Sequence, residues 1–118
     1  MLCLVHRKAL KDAFLANGNQ PVHYLKFVAD PTSYENTVRN MFTVSFLINR
    51  EVVYLFFDSN DQPHIYFEED KGKIEWNADD APVASVGNWI ASITPEDWKE
   101  ILETYNITKA MIKPAKKT

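Results

Sequence analysis

EVVYLFFDSNDQPHIYF, residues 51–67, holds two strongly β-prone runs joined by a turn. Alternate residues of a strand point to opposite faces. Val52, Tyr54 and Phe56 therefore share one face and Val53, Leu55 and Phe57 the other, and both faces are apolar. Asp58-Ser59-Asn60-Asp61 supplies the turn, and Pro63 stands just before the returning strand, where its missing N–H does little harm. A small domain buries one face of a hairpin against its own core, but covering both takes a second layer. An uncovered apolar strand without charge or proline is an aggregation hazard. Either the chain wraps this hairpin on both sides or another protein does.

Upstream, Thr32 and Glu35 have the spacing of a capping box, and Tyr34, Val38, Met41, Phe42, Ser45 and Ile48 follow helical spacing. Val44, Phe46 and Leu47 widen the apolar arc nearly all round the last turns. A helix that apolar at one end is buried on several sides, internally or by a partner. Further back, a first helix is predicted from about Leu2 to Ala16, closed by Asn17-Gly18, a pair suited to a left-handed cap. Its apolar face is Leu2, Val5, Ala9, Ala13 and Ala16, with Leu10 and Phe14 to one side. Between these helices, Val22 to Val28 reads as a short extended piece ended by Asp30-Pro31.

Downstream, Glu68 to Asp80 reads as a polar loop, and Val83 to Ile93, with Trp89 and Ile90, as a candidate third strand. Thr94 caps a last helix, Pro95 takes its first position and Asp97 completes a Thr-x-x-Asp box. Trp98, Ile101, Leu102 and Tyr105 form its core stripe, Asn106 ends it, and Ala110 to Ile112 reads as a short extended segment. Three helices with a hairpin between the second and third predict a small α+β domain, best arranged as a winged-helix-like fold with the hairpin as wing.

At 118 residues, with 46% hydrophobic and 25% charged side chains, the chain is one domain in the ordinary globular range. Three glycines are too few for a phosphate-cradling loop. The longest apolar stretches are too short to span a bilayer, and MLCLVHRKALKD lacks the long apolar run and cleavage site of a signal peptide. A single cysteine fits a reducing compartment. The net charge of -3 hides an asymmetry: Arg7, Lys8, Lys11 and Lys26 face Asp12 near the N-terminus, thirteen acids lie between Glu51 and Glu103, and only lysines follow. Such polarity orients a partner, or it is a solvated acidic surface with a basic tail.

Enzyme chemistry finds little footing. His6, His23 and His64 fall in unrelated predicted elements; Cys3 and His6 have Cys-x-x-His spacing, but with His23 they make a weak ligand set. Glu68, Glu69 and Asp70 read as a solvated loop without calcium-loop spacing. No cofactor and no metal are expected. A DNA-reading winged helix is the rival, yet Glu96, Asp97, Glu100 and Glu103 against Lys99 alone would repel phosphates. Arg7, Lys8, Lys11 and the lysine tail offer weak, salt-sensitive contact at most.

FVADPTSYENTVRNMFTVSFLINREVVYLFFDSNDQPHIYFEE, residues 27–69, and SITPEDWKEILETYNITKAMIKP, residues 92–114, resemble the C-terminal domain of the non-SMC element four family. These are kleisin subunits of the SMC five/six complex, with inhibitor-of-differentiation proteins as relatives. The resemblance rests on Phe27, Val28, Pro31, Ser33 and Tyr34 leading into the helix, then Thr37, Val38, Asn40, Met41, Phe42, Val44, Ser45 and Phe46. Trp98, Ile101, Ile107 and Pro114 complete it. The region 21–114 is family-like, between a first helix at 1–20 and a basic tail at 115–118. Arg39 stands where the family usually has an acid.

The resemblance implies a non-catalytic winged-helix interaction domain that docks on an SMC ATPase head, with the SMC five head expected, in chromosome maintenance and DNA repair. Other non-SMC subunits would join through parts of the full-length protein, DNA contact would be indirect or weak, and there would be no membrane contact. The implied location is the nucleus, on chromosomes. Family members are much longer, so the chain reads as an excised C-terminal domain or a short paralogue. Tyr54, Phe56, His64 and Tyr66 are the expected partner contacts, since large aromatics carry interface energy; otherwise they pack inside the domain. A co-regulator interaction domain of the inhibitor-of-differentiation type is the alternative, and a DNA-binding winged helix the second.

Overall fold

The structure, a computed structural model, describes residues 2–75, 81–82 and 93–112. The elements in order are α1 (Leu2–Ala16), β1 (Val22–His23), α2 (Tyr24–Val28), α3 (Tyr34–Asn49), β2 (Val53–Phe57), β3 (Pro63–Phe67), a 3-10 turn (Glu68–Lys73), β4 (Ala81–Pro82) and α4 (Pro95–Thr104). The strands form one antiparallel sheet in the order β1-β3-β2-β4. The α+β class expected from the sequence holds. The stretch Val22–Val28 differs: only two residues are extended before Tyr24 enters α2. His23 Nδ1 accepts the Lys26 N–H and caps the turn, while Tyr24, Phe27 and Val28 drop into the core. The candidate strand Val83–Ile93 lies, apart from Ile93, outside the described residues, and Ala110–Ile112 is irregular.

In the hairpin, Val53 pairs with Phe67 and Leu55 with Ile65, and all four are buried. Lys11 on α1 lies over the Phe67 ring, so α1 sits on this face. Within α1 the buried row is His6, Leu10 and Phe14, while Val5 and Ala16, on the expected apolar face, are exposed and Ala9 and Ala13 only partly covered. Leu10 and Phe14 remove far more apolar area from water than alanines can, and area sets the orientation.

Three helices end in the same device. Beyond α1, α3 and α4, the N–H groups of the second and third residues past the helix reach back to carbonyls of the last turn: Gly18 to Leu15 and Asn19 to Phe14, Glu51 to Ile48 and Val52 to Leu47, Asn106 to Glu103 and Ile107 to Leu102. The first residue of each pair must adopt a positive φ, here 68° at Gly18, 60° at Glu51 and 52° at Asn106. Glycine does so freely and asparagine tolerably, whereas glutamate pays a steric cost.

Asp70, expected as part of a solvated acidic loop, is instead fully buried. Its carboxylate accepts bonds from Lys11 Nζ at 2.7 and 2.8 Å and from Lys73 Nζ at 3.3 Å, pinning the 3-10 turn to α1. Burial works to raise its pKa, but the two ammonium groups outweigh it and hold the carboxyl below the ordinary range. Because the folded-state value lies below the unfolded one, this stabilisation is complete above about pH 4 and is lost as pH falls through the folded value.

Two outcomes are expected in urea titrations. Asp70→Asn lowers stability at neutral pH by roughly 2 kcal/mol, less than a fully buried pair because Lys11 is partly exposed, and flattens the decline below about pH 4. Glu51→Gly raises stability by about 0.5–1 kcal/mol by relieving the left-handed glutamate; an unchanged or lower midpoint would show that no strain is stored there.

Candidate protein-interaction site

Tyr54, Phe56, His64 and Tyr66 do come together: they form the second face of the hairpin, with Tyr54 opposite Tyr66 and Phe56 opposite His64. The Tyr54 and Tyr66 rings stack at 5.8 Å between centroids, and Phe56 and His64 at 5.3 Å. Phe56 and Tyr66, however, are 3% and 4% exposed, so they belong to the domain's own core and offer a partner almost no surface. Only Tyr54 and His64 remain half-buried. Since the opposite face is buried as well, the chain itself covers much of both sides of the hairpin.

Part of that cover comes from α4. His23 is paired with His64 across β1 and β3, and Tyr105 lies against His23 at 4.7 Å between centroids. The Gln62 amide oxygen accepts bonds from His23 Nε2 at 2.9 Å and the Tyr105 hydroxyl at 2.7 Å. Burial pushes the His23 imidazole below its ordinary range, with His64 and Lys26 acting the same way and the Gln62 bond opposing. A neutral ring suits the geometry, because Nδ1 accepts from Lys26 while Nε2 donates. Asp58 accepts the N–H groups of Gln62 and Asn60 and a His64 Nε2 bond at 2.8 Å, and the Gln62 N–H leads in holding its carboxyl low. These histidines tie the turn to the body of the domain. His6 is separately engaged by Asn40, and no group of three potential metal ligands occurs among the described residues.

The unexpected feature is α3. Its N-cap is Ser33, whose hydroxyl accepts the Asn36 N–H, rather than Thr32, whose own hydroxyl donates to Asp30. Its buried residues are Thr37, Asn40, Thr43, Val44 and Leu47. Three of the five are polar, and each is satisfied. Thr37 Oγ1 accepts the Asp30 N–H at 2.8 Å, Asn40 links His6 at 2.8 Å to the Val28 carbonyl at 2.9 Å, and Thr43 donates to Arg39 at 3.0 Å. Of the apolar row read from the sequence, Met41 and Ile48 pack against the core, but Val38 is 39% and Phe42 77% exposed. Phe46, 44% exposed, continues the outer row at i+8 from Val38. The helix therefore buries a mixed row, with Val44 and Leu47 in the core beside Thr37, Asn40 and Thr43, and leaves Val38, Phe42 and Phe46 as an outward apolar row.

A second apolar surface is a groove of about 870 Å³ between α1 and β1, lined by Val5, Ala9, Ala13, Val22, His23 and Met111 among others. Lys8 on its rim is paired with Asp12 at 3.3 Å. No helix among the described residues is long and apolar enough to cross a membrane.

Residues 21–112 match the family described as Nse4 C-terminal. The chain belongs to that family. It is 32% identical over 104 residues to the EP300-interacting inhibitor of differentiation 3 of Mus musculus, a match covering 88% of this chain and 27% of that protein. It is 31% identical over 112 residues to the non-structural maintenance of chromosomes element 4 homolog A of Homo sapiens, covering 92% and 28%. Similarity extends to the non-structural maintenance of chromosome element 4 of Schizosaccharomyces pombe, at 30% over 100 residues, covering 83% and 32%. The chain thus spans 27% to 32% of the length of these curated relatives.

The residues that carried the resemblance now have physical roles. Phe27 and Val28 are core; Ser33 caps α3; Thr37 and Asn40 satisfy the corner before it; Trp98 Nε1 donates to the Asp30 carbonyl at 3.0 Å and so docks α4. Among the described residues, Val38, Phe42 and Phe46 have no such role inside the domain. Truncation separates the two classes. Phe56→Ala is expected to cost about 3–5 kcal/mol and to melt well below the wild type. Phe42→Asp should stay within about 0.5 kcal/mol of it; a large loss of stability in Phe42→Asp would make that face internal.

Proposed function

We propose that this domain is a non-catalytic, winged-helix-like interaction module of a kleisin subunit, and that it docks on an SMC ATPase head in the SMC five/six complex, with the SMC five head as partner. The observation that carries this reading is the outward apolar row Val38, Phe42 and Phe46 of α3. Large apolar side chains held in water on a stable helix lower solubility and contribute little to folding, whereas they suit an interface core. Family membership supports a partner within the SMC five/six complex. Tyr54 and His64, half-buried on the hairpin's second face, act as secondary contacts, and Phe56 and Tyr66 hold them in place from within. Such a module works at chromosomes in the nucleus, in chromosome maintenance and DNA repair, with any ATP hydrolysis belonging to the partner. DNA contact is indirect: Glu96, Asp97, Glu100 and Glu103 on α4 are all exposed and repel phosphates.

The name of the mouse relative favours a second reading, a co-regulator interaction domain of the inhibitor-of-differentiation type that uses the same face. Co-purification of the domain with an isolated SMC five ATPase head, at moderate salt, distinguishes them. The wild type is expected to bind stably, and Phe42→Asp to weaken binding about 30-fold or more, as loss of a central anchor does, without loss of fold. A folded wild-type domain that ignores the head overturns the docking reading and brings the co-regulator reading forward.

A further inference from the structure

The stripe on α3 is electrostatically one-sided. Arg39 precedes Phe46 by seven positions and Arg50 follows it by four, so both guanidinium groups lie along the same edge of the row Val38, Phe42, Phe46, with the exposed Glu35 one turn before Arg39. The other edge carries Met41, Ser45 and Ile48, which are uncharged, and the Ser45 hydroxyl is spent on the Met41 carbonyl at 2.8 Å. Arg39 and Arg50 are both exposed. Among the described residues neither makes an ion pair, although Lys8, Lys11 and Lys73 each find a carboxylate. Arg50 is also held in place, with its guanidinium 4.9 Å from the centre of the Phe46 ring. A guanidinium fixed against an aromatic face keeps its fork of donors pointed outward and needs little further ordering to grip a carboxylate in two bonds.

Resting on the reading of α3 as the docking face, we infer that the partner presents a helix whose apolar row is bordered along one edge by carboxylates, which pair with Arg39 and Arg50. In an antiparallel pairing of two copies centred on Phe42, Arg39 would meet Ser45 and no acid stands opposite it. A different chain that brings carboxylates along this edge is the better match, and those carboxylates set the register in which its apolar residues enter between Val38 and Phe46.

The test measures binding of the domain to the isolated head at low and high salt, for the wild type, Phe42→Asp, Arg39→Glu with Arg50→Glu, and Arg39→Lys with Arg50→Lys. A duplex DNA probe is titrated in parallel. The charge reversal is expected to weaken head binding at low salt about 30-fold, the scale of a hot-spot loss, and to remove most of the salt dependence. The lysine pair should recover much of the loss. If Phe42→Asp abolishes binding while the charge reversal changes neither affinity nor salt dependence, the inference fails and the docking reading survives. If neither variant matters, both fail. Loss of DNA binding in the charge reversal, with head binding intact, assigns the arginines to phosphates and overturns the inference.

Discussion

At the corner between α2 and α3 the Asp30 carboxylate is sealed from water and accepts bonds from the Thr32 N–H and hydroxyl and from Asn36. The Asp30 N–H goes to Thr37, and its carbonyl takes the Trp98 indole. Two residues back, the Val28 carbonyl takes the Asn40 amide, whose oxygen holds His6 of α1. One non-repetitive corner thus connects α1, α2, α3 and α4. Burial alone would raise the Asp30 pKa, but the Thr32 bonds lead a set of donors that pulls it below the ordinary range. A buried polar cluster of this kind stabilises only when every member is satisfied, and losing one partner leaves a charge or amide stranded.

This corner also explains why α3 is turned as it is. Thr37 and Asn40 have to face inward to reach Asp30, Val28 and His6, and helical geometry then sends Phe42, two positions beyond Asn40, to the opposite side. The hydrogen-bonding demand of the corner outweighs the hydrophobic preference of the helix. Each buried apolar side chain would contribute about 1.5–3 kcal/mol, but an unsatisfied buried carboxylate or backbone group costs at least as much. The result is a domain whose core leaves out the row Val38, Phe42 and Phe46. A partner can then cover that stripe without competing with the core.

The sheet reaches the opposite outcome by the same accounting. Both faces of the hairpin are apolar, and the domain covers much of both: α1 lies on the Phe67 side, and Tyr105 closes over His23 beside His64 on the other. Of the four aromatics that looked like partner contacts, Phe56 and Tyr66 are buried inside the domain, while Tyr54 and His64 keep part of their surface. An apolar residue in a sequence is silent on what covers it.

Local chemistry fixed the punctuation of this chain. Thr94, Pro95 and Asp97 specify the start of α4, and a capping box forms there as read, because capping involves only neighbouring residues. Gly18 and Asn106 mark helix ends for the same reason, and the helical and β periods of α1, α3 and the hairpin carried the α+β class. Glu51 gave no sign of its left-handed role, since a glutamate is no signal for one. Which face of each helix is buried, the engagement of Asp70 with Lys11, and the division of aromatics between core and surface depended on residues far apart in the chain. Those outcomes are settled by long-range hydrogen bonds and competition for buried area, which no local window contains, so only the tertiary structure could show that Val38, Phe42 and Phe46 of α3 face outward.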